Sequence, residues 1–336
     1  MATKLAAGWA ALYGLVALVW TVTGTGFPYG PGSQAGDTSP LRALDPAIGA
    51  PLFWAALLLA AAALFFLDGP LRVYGTARRV LLAYVWVVVA ALLVVLPDIE
   101  LRAVAGYLPM LIIGYPFGWP PVDYSEIFTW TLANQAFAVL GGVLLARAVW
   151  PSFTGRWTTR ESAARWGRWA TWLAAAIPVF YAAIRLAWAA GIPLGIPAAF
   201  LEDMQRTGLV WAGAGLGGFA LVGAILTLGL TQRWGEVFPR WMVGLAGKRV
   251  PIKLATVPAT VVAILVMSAS VGFFAQTGAF AEIAEHGLST APILTWPAWS
   301  LALGAATLGY HLRRRPPRDT TPGVVAVPVR AAPGQL

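Results

Sequence analysis

Long apolar stretches separated by short polar loops dominate this chain. A helix needs about 20 apolar residues, rising about 1.5 Å each, to cross a hydrocarbon layer about 30 Å thick. Eight stretches of 17 to 23 residues meet this requirement. They lie at 6–23, 51–67, 80–96, 127–146, 169–190, 208–230, 254–274 and 293–312. The pattern therefore predicts an all-α fold, a polytopic transmembrane helix bundle of about eight spans.

The composition excludes a water-soluble domain. Hydrophobic residues make up 59% of the chain and charged residues 11%, whereas an ordinary soluble domain carries about 25% charged residues. The chain has no cysteine, so it can form neither a disulfide nor a thiolate metal site. The net charge of +9 is spread over short loops between apolar spans, where it sets orientation. Neither a nucleic-acid partner nor a cofactor is predicted.

The basic residues are distributed unequally between the two sides of the membrane. With a cytoplasmic N-terminus, 19 of the 23 Lys and Arg residues fall on the inner side. Arg42, Arg102 and Arg206 fall outside, and Arg185 lies within a span. Because Lys and Arg in short loops stay in the cytoplasm, this bias predicts a multi-pass protein of the cell membrane. Both its N-terminus and its C-terminus are predicted to be cytoplasmic.

The apolar segment 103–117 complicates the count of spans. It is short, and Pro109, Gly114 and Pro116 interrupt it. If it crossed the membrane, the two most basic loops would move outside, against the charge bias. We therefore assign it to an interfacial or re-entrant piece of the outer surface with an irregular backbone.

A weak internal repeat divides the chain into two halves. Residues 13–20 of the first span match residues 181–188 of the fifth, with Tyr at the start and Trp at the end of each. Four spans in each half would give the halves the same orientation, so the prediction is two four-helix repeats in parallel orientation. The predicted units are a first half (1–150), a cytoplasmic linker (151–168), a second half (169–315) and a disordered cytoplasmic tail (316–336).

Three sequence features carry a resemblance to a known group of proteins. They are LTQRWGEVFPRWMVGLAGKRVP, which ends at Pro251, the series Tyr181, Arg185, Trp188 and Gly191, and Asn134-Gln135 followed by Gly141-Gly142. In these features the chain resembles a family of actinobacterial multi-pass integral membrane proteins that has no assigned function. The resemblance implies a membrane location and no particular chemistry.

One polar cluster is the candidate ligand site. Arg185 is the one charged side chain placed well inside a predicted span, and Tyr181 and Trp188 share its helix face. Asn134 and Gln135 are predicted at a similar depth in the fourth span. Together they suggest a pocket that opens outward and suits an anionic or amphipathic ligand such as a lipid headgroup. The alternative is that Arg185 reaches the outer surface or pairs with an acid of an outer loop, while the two amides join helices.

Two other features have plainer interpretations. The glycines from Gly213 to Gly218 lie inside an apolar span. There Gly213 with Gly217, and Ala214 with Gly218, are predicted to form a small-residue face for close helix packing. The inner loop from Gln232 to Lys253 mixes aromatic with basic residues. This loop is predicted to form a short helix against anionic lipid.

These patterns favour a role without catalysis. No Asp or Glu lies within a predicted span. Glu282, Glu285 and His286 cannot form a complete metal site with His311, which is predicted at the opposite face. The leading hypothesis is a protein that binds or transports a lipid-like ligand at the Arg185 cluster, with membrane lipid as its partner. The alternatives are an accessory subunit that contacts other membrane subunits and, third, a membrane-embedded enzyme.

Overall fold

The chain forms an all-α structure. The computed structural model describes residues 1–31, 39–117, 128–154, 160–276, 278–281 and 291–314. Within these ranges, the one strand-like feature is an isolated antiparallel bridge between Val237 and Arg249. The tail predicted at 316–336 lies outside the described residues.

The helices follow the predicted apolar stretches closely. In chain order they are α1 (Ala2–Thr23), α2 (Pro46–Asp68), α3 (Gly75–Ala90), α4 (Ile99–Gly114), α5 (Trp130–Thr154), α6 (Arg160–Ala189), α7 (Ala198–Thr207), α8 (Leu209–Leu228), α9 (Ile252–Phe274), α10 (Ala291–Leu294) and α11 (Trp296–Arg314). A π-helical turn, Ala91–Val95, continues α3.

Seven of the described helices are long and apolar enough to cross a membrane: α1, α2, α3 with its π-helical turn, α5, α6, α8 and α9. The chain is therefore a multi-pass integral membrane protein by the length and composition of its helices. The eighth predicted span corresponds to α11, which has 19 residues. Its last turn contains His311, Arg313 and Arg314, and α11 is not among the seven.

The segment 103–117 is helical rather than irregular. Helix α4 spans Ile99–Gly114, and a 3-10 turn follows at Tyr115–Phe117. The Asp98 side chain accepts a hydrogen bond from the Glu100 backbone N–H at 3.0 Å, which caps the start of the helix. The 16 residues of α4 rise about 24 Å, which is short of a hydrocarbon layer of about 30 Å.

Residues 151–168, predicted as a linker, are also largely helical. Helix α5 continues to Thr154 and α6 begins at Arg160, while 155–159 lie outside the described residues. Arg and Glu are good helix formers, so a helix can continue past its apolar stretch into water. The apolar pattern marks the membrane-spanning part of a helix and not its end.

Helices α1, α2, α3 and α5 enclose one hydrophobic core within the first half. Trp9 of α1 lies directly over Gly141 of α5, where an added Cβ would overlap the indole ring. Tyr13 and Phe137 extend this contact, with ring centroids 4.9 Å apart. Glycine at position 141 therefore makes room for a large aromatic side chain between two helices.

In the second half, α6 packs between α8 and α11, and α9 packs against α11. Gly217 of α8 faces α6, since an added Cβ there would be 3.2 Å from Arg185 Cβ. A Cβ at Gly213 would be 3.5 Å from Arg185 Cδ. The predicted small-residue face of α8 is confirmed at Gly213 and Gly217 but not at Gly218, where an added Cβ would meet nothing within 4 Å.

Helices α6 and α11 also approach through glycine. An added Cβ at Gly309 would lie 2.9 Å from the Gly167 Cα and 3.2 Å from the Ala163 carbonyl oxygen. No side chain separates the two backbones at this crossing. The close approach fixes the relative position of the helices near one end of the bundle.

Arg102 of α4 connects the two halves. Its Nη1 donates hydrogen bonds to the carbonyl oxygens of Pro97 and Ser268, each at 3.0 Å. Ser268 Oγ donates to the same Pro97 carbonyl at 3.1 Å. A Cβ at Gly272 of α9 would be 2.8 Å from both Nη atoms, so the guanidinium fills the space that this glycine leaves.

Replacing Gly141 with alanine is expected to destabilise the protein. The added methyl group collides with the Trp9 ring, and overpacking of this kind costs about 1–3 kcal/mol. The matched control is Gly218→Ala in α8, where an added Cβ meets nothing within 4 Å. The free energy of unfolding, measured in detergent micelles, should fall for Gly141→Ala alone, and equal effects would contradict the packing described.

Replacing Arg102 with methionine should weaken the contact between the halves. The substitution removes one hydrogen bond across this contact, to the Ser268 carbonyl, and one to the Pro97 carbonyl beside α4. Each contributes about 1.5–3 kcal/mol when the donor is charged. Arg206→Met is the control, because the ion pair of Arg206 with Asp203 is exposed and worth about 0–1 kcal/mol. Thermal unfolding in the same detergent tests the difference, and a loss no larger than that of the control would refute the connecting role.

Candidate ligand site

Arg185 lies near the end of α6, beside the glycine face of α8. Helix α6 ends at Ala189, so Arg185 is about 6 Å along the axis from the end of its helix. Gly213 and Gly217 leave space for its aliphatic stem against α8. The side chain is partly exposed. Arg185 falls within Glu161–Ala189, one of the seven candidate spans by length and composition.

Two aromatic rings of α6 hold the Arg185 guanidinium. Its Cζ lies 4.7 Å from the ring centroid of Trp188 and 5.2 Å from that of Tyr181. Trp188 is buried, and its Nε1 donates a hydrogen bond to the Leu194 carbonyl at 2.9 Å. A cation over an aromatic face gains about 0.5–2 kcal/mol, more where water is excluded. These contacts orient the guanidinium without using its N–H groups.

No carboxylate of the described residues pairs with Arg185. Four acids were predicted as possible partners in the outer loops. Asp98 bonds to Gln135, Glu100 to Thr129 and Asp203 to Arg206, and Glu202 forms no ion pair with Arg185. Across the described ranges, no ion pair and no hydrogen bond of Arg185 is found. The ion pair that was the alternative for this residue is therefore not formed with any described residue.

Asn134 lies in the core of the first half. Its Oδ1 accepts a hydrogen bond from the Tyr13 hydroxyl at 2.9 Å, and its Nδ2 donates to the Trp130 carbonyl at 2.8 Å. The Tyr13 hydroxyl is also 3.2 Å from the hydroxyl of Tyr29. The Asn134 amide thus joins α5 to α1, which is the interhelical role considered as its alternative.

Gln135 forms a second internal contact, with Asp98. Its Oε1 accepts from the Asp98 backbone N–H at 3.1 Å, and its Nε2 donates to Asp98 Oδ2. Both side chains are fully buried. The other oxygen, Asp98 Oδ1, caps α4 through the Glu100 N–H. The two residues therefore fix the start of α4 against α5.

Burial and the charge of Asp98 shift the pKa values of two neighbouring groups in α4. Burial raises the pKa of the Glu100 carboxyl, and the negative charge of Asp98 raises it further. A hydrogen bond from Thr129 opposes this rise. Burial lowers the pKa of the Arg102 guanidinium, while the charge of Asp98 acts in the opposite direction. This polar cluster of Asp98, Glu100, Arg102 and Gln135 is thus a partly desolvated contact between helices.

The five predicted residues therefore separate into two groups. Tyr181, Arg185 and Trp188 form one on α6, while Asn134 and Gln135 belong to the first-half core. No hydrogen bond or ring contact among the described residues joins the groups. The amides already have partners, so the donors left for a ligand are those of Arg185 and the hydroxyl of Tyr181, for which no hydrogen bond is found among the described residues.

Asp98 and Tyr13 are the polar residues that the sequence reasoning missed at this site. Asp98 follows Pro97 and precedes the helical segment that begins at Ile99. An acid just before an apolar run is a signal for a helix cap, and it could have identified Asp98. Nothing in the sequence pairs Tyr13 with Asn134, because their contact depends on how α1 and α5 pack.

A metal centre has no support in the described part of the chain. No group of three or more His, Cys, Asp or Glu side chains lies close enough there to hold an ion. Glu282, Glu285 and His286, considered as incomplete metal ligands, lie outside the described residues.

Comparison with known proteins adds no further assignment. No protein-family model, no curated protein and no solved structure matches this chain. The resemblance to the actinobacterial membrane family thus stays a prediction, and the membrane assignment depends on the helices themselves.

Proposed function

We propose that this protein binds an anionic, lipid-like ligand at Arg185, with no catalytic step. The observation that supports the proposal is the Arg185 guanidinium, which is stacked on Tyr181 and Trp188 yet pairs with no described carboxylate. A charged group in or near hydrocarbon is costly, so it is paired or functional in most membrane proteins. An anionic headgroup would supply the missing partner.

The ligand is proposed to be amphipathic because of the position of Arg185. In the proposed topology, a guanidinium about 6 Å from the end of α6 is closer to the lipid headgroups than to the bilayer centre. Its N–H groups form a planar fork that matches phosphate or carboxylate oxygens. A phosphate-bearing or carboxylate-bearing lipid satisfies both the charge and the apolar surroundings.

The topology proposed with this function has eight spans. Helix α11 packs along α6 and α9, both of which qualify as spans, and this supports counting α11 as the eighth. An even number of spans would put both termini on the same side of the cell membrane. The charge bias favours the cytoplasm as that side. Arg185 then faces the outer leaflet.

Two halves of four spans each remain part of the proposal. One hydrophobic core is built from residues 6–149, and two smaller ones are built from residues 174–310. This separation supports a division between α5 and α6. The proposed relation between the halves is a parallel repeat about an axis along the membrane normal.

Replacing Arg185 with leucine tests the ligand directly. The bound lipid is measured by native mass spectrometry after gentle solubilisation. Loss of the guanidinium removes charge-assisted hydrogen bonds, and we expect about tenfold less co-purifying anionic lipid. Tyr181 and Trp188 remain in place in this variant, so the apolar part of the site is retained.

Arg206→Leu is the matched control, since it removes an arginine from α7 whose partner is Asp203. It should keep the lipid content of the unchanged protein. If Arg185→Leu folds and keeps its lipid as well, the ligand proposal fails. The better assignment is then an accessory subunit of a larger membrane complex. The mass of a bound partner protein in the same spectra would identify it.

A further inference from the structure

A basic cavity lies at the opposite end of the second half from Arg185. Its volume is about 390 Å³, and it is lined by Glu236, Val237, Arg249, Arg313 and Arg314. Helix α8 ends, α9 begins and α11 ends around it. The proposed function does not use this cavity.

The loop between α8 and α9 forms one wall of the cavity, and it is not the helix that the sequence predicted. Backbone hydrogen bonds run from Phe238 N–H to the Lys248 carbonyl at 3.0 Å and from Val250 N–H to the Glu236 carbonyl at 2.9 Å. The antiparallel bridge joins Val237 to Arg249 in the same hairpin. Glycines at positive φ, among them Gly244 with φ 82°, let the chain reverse where a helix would continue.

Helix α11 forms the other wall, and its two arginines have fixed positions. Arg313 Nη2 donates to the Leu230 carbonyl at 2.9 Å and to Glu236 Oε1 at 2.8 Å. Arg314 Nη2 donates to the Val250 carbonyl at 3.1 Å. The Tyr310 ring lies beneath both guanidinium groups. Its centroid is 5.8 Å from Arg313 Cζ and 5.3 Å from Arg314 Cζ. The positive charges are thus held in place before any ligand arrives.

Arg249 differs from these two arginines. Its side chain is exposed and lines the cavity, and no hydrogen bond or ion pair from its guanidinium is found among the described residues. The one carboxylate of the lining, Glu236, already pairs with Arg313. Three arginines and one glutamate leave the cavity with a net positive charge.

From this arrangement the geometry points to a binding site for a phosphate group. Arg249 approaches from the loop, and Arg313 and Arg314 approach from α11, so that a phosphate between them would have guanidinium groups on two sides. Arginine binds phosphate with paired N–H groups, and bonds between charged partners are shorter and stronger than neutral ones. The residues that would contact the phosphate are Arg249, Arg313 and Arg314.

The surface beside the cavity identifies a phospholipid as the source of the phosphate. At the tip of the same loop Trp241 is 77% exposed and Val243 is 97% exposed. Such apolar side chains next to Arg240 and Lys248 favour a position at the lipid interface, where anionic headgroups concentrate. A freely soluble phosphate compound would not need them.

The test compares Arg249→Gln with the unchanged protein in its affinity for phosphatidylglycerol. Delipidated protein is titrated with phosphatidylglycerol or phosphatidylcholine in detergent, and bound lipid is counted by native mass spectrometry. We expect phosphatidylglycerol to bind more tightly than phosphatidylcholine, and Arg249→Gln to weaken its binding about tenfold. Arg240→Gln is the matched control, because it removes the same charge from the same loop outside the cavity lining.

Equal losses in the two variants would show general attraction to a basic surface and would overturn the site. Equal binding of the two lipids would do the same. Glycerol 3-phosphate serves as the soluble probe: if it competes with phosphatidylglycerol at equal concentration, the lipid source is wrong. Arg249 is exposed, so its replacement is expected to leave the fold intact, and circular dichroism of each variant checks this. Arg185→Leu should leave this site unchanged, which keeps it separate from the proposed function.

Discussion

The absence of water in a hydrocarbon layer is the constraint on which this structure depends. Backbone groups find partners within helices, and polar side chains must find them in neighbouring helices. Asp98 follows this rule, because both of its carboxylate oxygens have partners. One accepts from the Gln135 side chain of α5 and the other caps α4. Three indole N–H groups, those of Trp9, Trp54 and Trp299, are buried without a hydrogen-bond partner among the described residues. These three indoles are the exceptions to the rule among the described residues.

The membrane-spanning helices could be predicted because length and apolarity are local properties. Seven of the predicted apolar stretches lie almost wholly within helices: α1, α2, α3 with its π-helical turn, α5, α6, α8 and α9. Helix ends were less predictable, since α5 and α6 continue into the predicted linker 151–168. Charged residues there are compatible with either helix or loop, and only the packing of the complete chain decides between them.

The candidate site was predicted in part. Arg185, Tyr181 and Trp188 lie together because helical spacing alone puts them on one face. Asn134 and Gln135 were placed with them on the basis of depth, but depth says nothing about rotation about the helix axis. Both amides face the first-half core, where Tyr13 and Asp98 are their partners. The partners of a polar side chain depend on which helices are neighbours, and a single sequence does not encode that in a readable form.

Arginines in this protein fall into two classes with different partners. Arg102, Arg313 and Arg314 donate to backbone carbonyls at helix ends and hold elements together. Arg185 and Arg249 have no such acceptors among the described residues. The first class uses some of its N–H groups to join elements of the fold, and Arg313 and Arg314 also line the cavity. The second class keeps all of its N–H groups for a molecule from outside.

The glycine crossing of α6 and α11 has a mechanical consequence. The backbones of the two helices touch at Gly167 and Gly309. The easiest relative motion of the helices is therefore a rotation about this point of contact. Arg185 lies about 27 Å along α6 from Gly167, and a tilt of about 5° would displace it by about 2.4 Å. A small displacement of α11 near Gly309 would therefore become a larger displacement at Arg185.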